Sequence, residues 1–410
     1  MNFIEDKIAD RLGGKQFGKG TEIYKFEKIK RAKAEARKYH TDISLIDMGV
    51  GEPDSPADSG IVRTLSQEAG RPENRWYADN GIPEFQEAAA QYLETVYNVK
   101  HIDPYENILH GIGSKPILAM LPLCFINPGD ITLATIPGYP VAATHTSYVG
   151  GEVYNLPLWE ENAFFPDFDS IPEEILRKAK LLYINYPNNP TGQVATVDFY
   201  EGAIDFALKN DIIIIQDAAY AALTYDGYRP FSFLTVDGAE QVGVEIHSLS
   251  KAFNMTGWRI AFVAGNKQII KTYGTIKDNT DSGQFRAIQK AGIFALNNPG
   301  LTGTICEKYS RRFDLLVQAL NEIGFTARKP KATFYCYVNC PKGTESGESF
   351  RNASEFSEFL IKKAFISTVP EDDAGHYVRF SVTFEAESVD EEKSIVDDMK
   401  ERMFGLRLVF

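Results

Sequence analysis

The chain reads as an α/β protein: a mainly parallel sheet flanked by helices, with a smaller α+β domain. Three observations predict this. From Asn107 to Ala264 short continuous apolar runs alternate with helical segments, which is how strands covered on both faces of a parallel sheet look in sequence. Each run except the last is followed at once by glycine, tyrosine, asparagine, aspartate or lysine, and such sheets bind ligands beyond the carboxyl ends of their strands. After about residue 295 the texture changes to long helices separated by isolated strands.

Taken in order, residues 1 to about 40 are polar and helix-prone, with an aromatic patch at Ile23-Tyr24-Lys25-Phe26 before a basic helix over 28–38. That helix reads as a solvated face. Ile46-Asp47-Met48-Gly49-Val50-Gly51-Glu52-Pro53-Asp54 follows; glycines and a proline after an apolar run mark a turn where backbone approaches something closely. Residues 75–81 form a loop with exposed aromatics, and an amphipathic helix spans about 83–97.

The alternating series then begins. Strand 107–110 leads to Gly111-Ile112-Gly113-Ser114-Lys115-Pro116 and an apolar helix interrupted or ended by Pro122. Strand 130–134 leads to Pro137-Gly138-Tyr139-Pro140, and 181–184 to Asn188-Asn189-Pro190-Thr191-Gly192. The four isoleucines 212–215 lead to Asp217-Ala218-Ala219-Tyr220, and 242–247 to Ser248-Leu249-Ser250-Lys251. Strand 259–264 closes the series. Beyond it come a helix through 307–320, a strand over 333–340, a helix over 354–363 and a strand over 375–381. The domains expected are an N-terminal segment, 1–45, packing with the small domain; a large domain, 46–295; and a small C-terminal domain, 296–410.

Composition narrows the function. A formal charge of -13 argues against nucleic acid, whose binders carry a basic stripe. No apolar run is long enough to cross a bilayer, and the first residues lack the apolar region of a signal peptide. Four cysteines, Cys124, Cys306, Cys336 and Cys340, suit reduced thiols in a cytoplasmic protein better than a disulfide or metal framework.

Lys251 follows a strand and two serines, with Arg259 eight residues on. A lysine there is either a solvated surface group or an amine that forms a Schiff base with an aldehyde cofactor. Ser248, Ser250 and Arg259 supply what a phosphate monoester needs, short hydroxyl donors and a planar charged fork. Gly113-Ser114-Lys115-Pro116 opens a helix whose free N–H groups, with Ser114 and Lys115, make either an anion site or an ordinary cap. It matches neither the dinucleotide nor the P-loop pattern.

Asp217, after four isoleucines, is either a turn cap or the poorly hydrated partner of a pyridinium N–H. Asn189 and Tyr220 are suitable donors to a phenolic oxygen on the same ring, and Tyr139 is suited to stack on its face; each alone is more often a turn residue or a packing aromatic. Arg379 lies in an apolar strand, where a bidentate carboxylate ligand or an internal salt bridge would satisfy it.

In order and spacing, Asn189-Pro190-Thr191-Gly192, Asp217-x-x-Tyr220, Ser248-x-Ser250-Lys251, Arg259 and Arg379 resemble the class I/II aminotransferases, pyridoxal-phosphate enzymes of the aspartate aminotransferase fold. The resemblance covers nearly the whole chain. It implies that Lys251 carries the cofactor aldehyde, Asp217 the pyridine nitrogen, Asn189 and Tyr220 the ring oxygen, and Tyr139 the ring face. Ser114, Lys115, Ser248, Ser250 and Arg259 would hold the phosphate, with Tyr77 reaching it from a partner subunit of a homodimer. Gly51 and Arg379 would take the substrate α-carboxylate.

A narrower likeness rests on Tyr24-Lys25-Phe26, Ser114-Lys115 and Glu161-Asn162-Ala163-Phe164-Phe165-Pro166-Asp167. It is to the branch of that family acting on LL-diaminopimelate, and it implies Tyr24, Asp79 and Lys115 at the far end of the substrate. The partner-subunit contact falls at Asn279 or Ser282. The substrates implied are small amino and keto acids, with neither nucleic acid nor membrane as partner. Rival readings are a transaminase for aromatic or other amino acids, another pyridoxal-phosphate reaction such as β-elimination, and a cofactor-binding regulator.

Overall fold

Successive residues of the central strands face two separate apolar clusters. Leu182, Ile184, Ile214, Phe262 and Ala264 lie in one, while Leu181, Tyr183, Ile215, Val263 and Ile246 lie in the other. A strand with both faces buried needs no polar side, which is why these segments read as unbroken apolar runs. The computed structural model describes residues 3–19, 25–229 and 231–410, and of 25–27 the backbone alone.

The chain divides into two units. The larger holds Glu52–Ser310 and Pro330–Phe334; the smaller holds Met1–Gly51, Arg311–Lys329 and Tyr335–Phe410.

In the larger unit seven strands form one sheet, in the spatial order Ile108–Gly111, Ala261–Gly265, Gly243–Ser248, Ile213–Asp217, Ala179–Asn185, Ile131–Ile136, Glu152–Pro157. Ala261–Gly265 alone runs antiparallel to its neighbours, because it follows Gly243–Ser248 after a short connection rather than a crossover helix. All the other pairings are parallel. One face is covered by helices Pro83–Tyr97 and Val197–Asn210 through Phe85, Tyr92, Leu93, Tyr200 and Ile204. The other is covered by Ser114–Phe125 and Lys267–Asp278 through Ile117, Leu118, Leu121, Ile269 and Tyr273.

Pro122 does not end its helix, which continues to Phe125. The buried side chains of Ile117, Leu118 and Leu121 hold the helix on the sheet, and that packing outweighs one missing backbone hydrogen bond.

The smaller unit contains an antiparallel sheet of Val369–Glu371, Tyr377–Ser381 and Tyr335–Asn339, and a parallel pair of Ile46–Asp47 with Ile366–Ser367. Through that pairing residues 46–51 sit with the smaller unit, whereas 296–310 sit with the larger. The basic helix, Lys25–Ala36, is not solvated all round. Ile29 and Ala36 are buried against Ile361 of helix Ala353–Ala364 and Phe365 just after it, while Lys28 and Lys30 are exposed. Lys33 reaches Asp47 at 2.6 Å. Among the described residues no helix is long and apolar enough to cross a membrane, no cluster could hold a metal, and all four cysteines are free.

Candidate active site

Strand Gly243–Ser248 passes directly into a single helical turn, Leu249–Ala252, and Lys251 sits on that turn. Ser248 caps it, its Oγ accepting from Ser250 N at 3.2 Å. The Lys251 Nζ lies 5.6 Å above the centroid of the Phe334 ring, and the ring of Tyr220 meets the same phenylalanine edge-on at 5.3 Å. Phe334 therefore brings Lys251 and Tyr220 to one place.

Arg259 closes the next side. Its backbone is left-handed, φ 56°, and Nη1 donates to Thr256 O at 2.9 Å and to Ser250 Oγ at 3.4 Å. The guanidinium lies against Gly113, the residue before helix Ser114–Phe125. A Cβ at Gly113 would collide with it, and φ there is +84°, so glycine is required on both counts. Two serine hydroxyls, an arginine and the N-terminus of a 12-residue helix thus converge. Donors converging in this way form a cradle whose chemistry suits an anion. Ser114 is half-buried and Lys115 exposed at its rim.

Asp217 ends strand Ile213–Asp217 with 4% of its surface exposed. Its Oδ1 accepts from Ala219 N at 3.2 Å and its Oδ2 from the Tyr183 hydroxyl at 3.3 Å. Burial pushes the carboxyl up to about 6, against the pull of those two bonds and of nearby His247. Each oxygen keeps a lone pair for a further donor. Asn185, paired in register with Asp217, ties the neighbours together. Its Nδ2 donates to Asp217 O at 2.7 Å, and its Oδ1 accepts from Asn189 N at 2.9 Å. Tyr139 is half-buried at the end of strand Ile131–Ile136 and lies near enough to Tyr183 to influence its phenol, which burial raises first and Asp217 next.

Sequence reasoning passed over Tyr183 and Asn185. The available signal was two polar tips, two residues apart, among the apolar residues Leu181, Leu182 and Ile184; nothing in the spacing said which neighbour they would meet.

Tyr77 and Asp79 are exposed, and the loop carrying them is held from behind by backbone contacts. Arg286 Nη2 donates to Tyr77 O at 2.8 Å, and Lys277 Nζ to Asp79 O at 2.5 Å. Asn279 and Ser282 are also exposed, Asn279 donating to Thr275 O at 2.9 Å. Tyr24 lies outside the described residues.

The smaller unit holds a second group. Arg379 is 5% exposed; its Nη2 donates to Gly49 O at 3.2 Å and its guanidinium stacks 4.1 Å over Tyr335. Gly51 approaches the same pair so closely that a Cβ would lie 2.9 Å from the Tyr335 hydroxyl oxygen. Bonds from Ser381 N to Met48 O, 2.7 Å, and from Thr383 Oγ1 to Val50 O, 2.9 Å, pin this strip. The close approach expected at the Gly49/Gly51 turn is to Arg379 and Tyr335.

An amine, a buried carboxylate and an anion cradle in the larger unit, and an arginine fork in the smaller unit described by itself, are the residue types that amino-group transfer uses. The family model for aminotransferase class I and II matches residues 43–391. The chain belongs to the class I and II aminotransferases. This aminotransferase is 56% identical to the LL-diaminopimelate aminotransferase of Methanocaldococcus jannaschii, over 100% of this chain and 99% of that one. Among solved structures, substrate-bound BacF from Bacillus subtilis is 33% identical, with a TM-score of 0.87 and 98% of each chain covered. A Thermus thermophilus aspartate aminotransferase mutant, 24% identical with a TM-score of 0.82 over 96% of this chain and 99% of that one, shares the fold. The aminotransferase fold is thus of the aspartate aminotransferase type, with its mostly parallel sheet between helices.

Proposed function

We propose that this enzyme is a pyridoxal-phosphate-dependent transaminase that interconverts LL-2,6-diaminopimelate plus 2-oxoglutarate and tetrahydrodipicolinate plus L-glutamate, a step of lysine biosynthesis. The observation that carries the substrate is the 56% identity, along the whole chain, to an enzyme of that name. What supports the cofactor is the donor set: a cradle that a Cβ at Gly113 would fill, and a buried carboxylate with room for one more donor.

Pyridoxal phosphate, when bound, supplies an aldehyde for amines and a ring that withdraws electrons from the carbon being deprotonated. The residues of this chain divide the remaining work. Ser114, Lys115, Ser248, Ser250 and Arg259 hold the phosphate, joined by Tyr77 of a second copy in a homodimer. Asp217 keeps a proton on the ring nitrogen, and Tyr183 and Ala219 aim its carboxylate. Asn189 and Tyr220 hold the ring oxygen, and Tyr139 covers the ring face. Lys251 would hold the cofactor through its Nζ, and the same amine would take the proton from the substrate Cα as general base. Arg379 and Gly51 receive the α-carboxylate. Tyr24, Asp79 and Lys115 meet the distal amino-carboxylate.

A site that binds two amino-carboxylates rejects a substrate lacking the second, because its own polar groups would be left unpaired, by a factor on the order of 10⁴. The purified enzyme is given 2-oxoglutarate with LL-diaminopimelate, meso-diaminopimelate, aspartate, phenylalanine or lysine, and glutamate is measured. Appreciable turnover is expected with the LL isomer alone. Comparable rates with aspartate or phenylalanine would overturn the substrate while leaving the transaminase in place.

A further inference from the structure

The backbone of Arg259 is gripped by a side chain to which the sequence motifs assign nothing. Gln284 is 8% exposed. Its Nε2 donates to Trp258 O at 2.9 Å and to Arg259 O at 2.6 Å, so both amide hydrogens are spent on consecutive carbonyls. Its Oε1 faces His110 Nε2 at 3.0 Å. His110 is wholly buried, and burial pushes its ring down to about 4, against the bond to Gln284. The ring is therefore neutral near pH 7, and because an amide oxygen only accepts, its one proton sits on Nε2. The Gln284 carbonyl is held in turn by Gln289 Nε2 at 2.9 Å, while Gln289 Oε1 takes Ile82 N at 2.8 Å. Every hydrogen-bonding group named on Gln284 is committed, and its amide cannot be flipped without opposing two carbonyl oxygens.

We infer that Gln284 is a positioning residue for the phosphate cradle: it clamps the Trp258–Arg259 carbonyls so that Arg259 stays left-handed and its guanidinium stays over Gly113. A non-glycine residue at φ 56° persists only where its surroundings over-determine it. Arg259 has little else to do so on its carbonyl side, since its other named bonds, to Thr256 O and Ser250 Oγ, come from the side chain the clamp aims. Released, the residue relaxes toward the right-handed or extended region and the guanidinium leaves the anion. The cradle then loses its planar donor while Lys251, Asp217 and Asn189, on other strand ends, keep their places. This rests on the reading of the cradle as the phosphate site of pyridoxal phosphate.

The prediction is a loss confined to the phosphate. Full-length protein stripped of cofactor is titrated with pyridoxal phosphate and with pyridoxal, which differ only in that group, and equilibrium dissociation constants are compared. Gln284→Met, similar in length and without donors, is expected to weaken pyridoxal phosphate by about 10- to 100-fold, the effect of one charge-assisted pair, and pyridoxal by less than about threefold. Gln284→Glu, which at pH 8 offers the two carbonyls no hydrogen, is expected to do the same and serves if the methionine variant does not fold. Equal losses for both ligands would make Gln284 merely structural, and an unchanged ratio in either folded variant would make it irrelevant to the cradle; each overturns the inference. A wild-type protein that does not prefer pyridoxal phosphate to pyridoxal would instead overturn the cofactor reading beneath it.

Discussion

Holding Asp217 ionised in a nearly dry strand end has an energetic consequence that titration reveals. Its folded value of about 6 lies above the ordinary aspartate value of about 3.9, because desolvation outweighs the bonds from Ala219 and Tyr183. A raised value means that the cofactor-free fold is favoured by protonation: the contribution is complete below about pH 4 and is lost as pH rises through about 6. Asp217→Asn cannot ionise and escapes that loss. Relative to wild type, the cofactor-free variant should gain stability between pH 4 and pH 7, by up to about 3 kcal/mol at about 1.4 kcal/mol per unit, while transamination collapses. Denaturant titrations of both proteins across that range check it, and a difference independent of pH would contradict the assignment. The motif Asp217-x-x-Tyr220 was legible because four isoleucines precede it. The phenol that aims the carboxylate was not, since Tyr183 is 34 residues away and meets Asp217 only through the pairing of Ala179–Asn185 with Ile213–Asp217.

At the scale of elements, the loop over 77–82 is anchored by one segment, 277–289. Lys277 is fully buried, bonded to Asp281 Oδ1 and Asp79 O, each at 2.5 Å. Asn80 Nδ2 meets Asp278 Oδ1 at 2.6 Å, and a Cβ at Gly283 would stand 2.6 Å from the backbone of Ala78 and Asp79. Lys277→Met removes a buried cation and leaves Asp281 and a carbonyl without it, at a cost of about 3 kcal/mol. The expected signature is local: amide exchange in residues 78–82 should quicken well before that of strand Gly243–Ser248, as hydrogen-exchange mass spectrometry would reveal. Uniform acceleration over the whole unit would mean that Lys277 supports the fold rather than the loop. The loop itself was visible in the sequence as a stretch with exposed aromatics over 75–81. Its anchor was not, because Lys277 looks like any surface lysine until the register of helix Lys267–Asp278 turns it inward.

For the whole molecule, the proposal that Tyr77 serves a second copy has a mixing test. Lys251→Ala and Tyr77→Glu chains should each be nearly inactive. Refolded together in equal amounts, they should recover about a quarter of wild-type activity, since half the dimers are hybrids with one native site of two; no recovery would exclude shared sites. Along the chain, the sequence by itself determined the alternation of strands and helices, the residues that end each strand, and from their order the family. These are local facts: periodicity, β-branching and the chemistry of a residue just past a strand. Only the tertiary structure decided that residues 46–51 join the smaller unit, which depends on Ile46–Asp47 pairing with Ile366–Ser367, 320 positions away by number. It also decided that one side of helix Lys25–Ala36 is buried on Phe365, and that Gln284 and His110 stand behind Arg259. A side chain that works by gripping distant backbone carries no motif, because its partner is a carbonyl that every residue has. Which carbonyl it reaches is set by how the strands and helices pack.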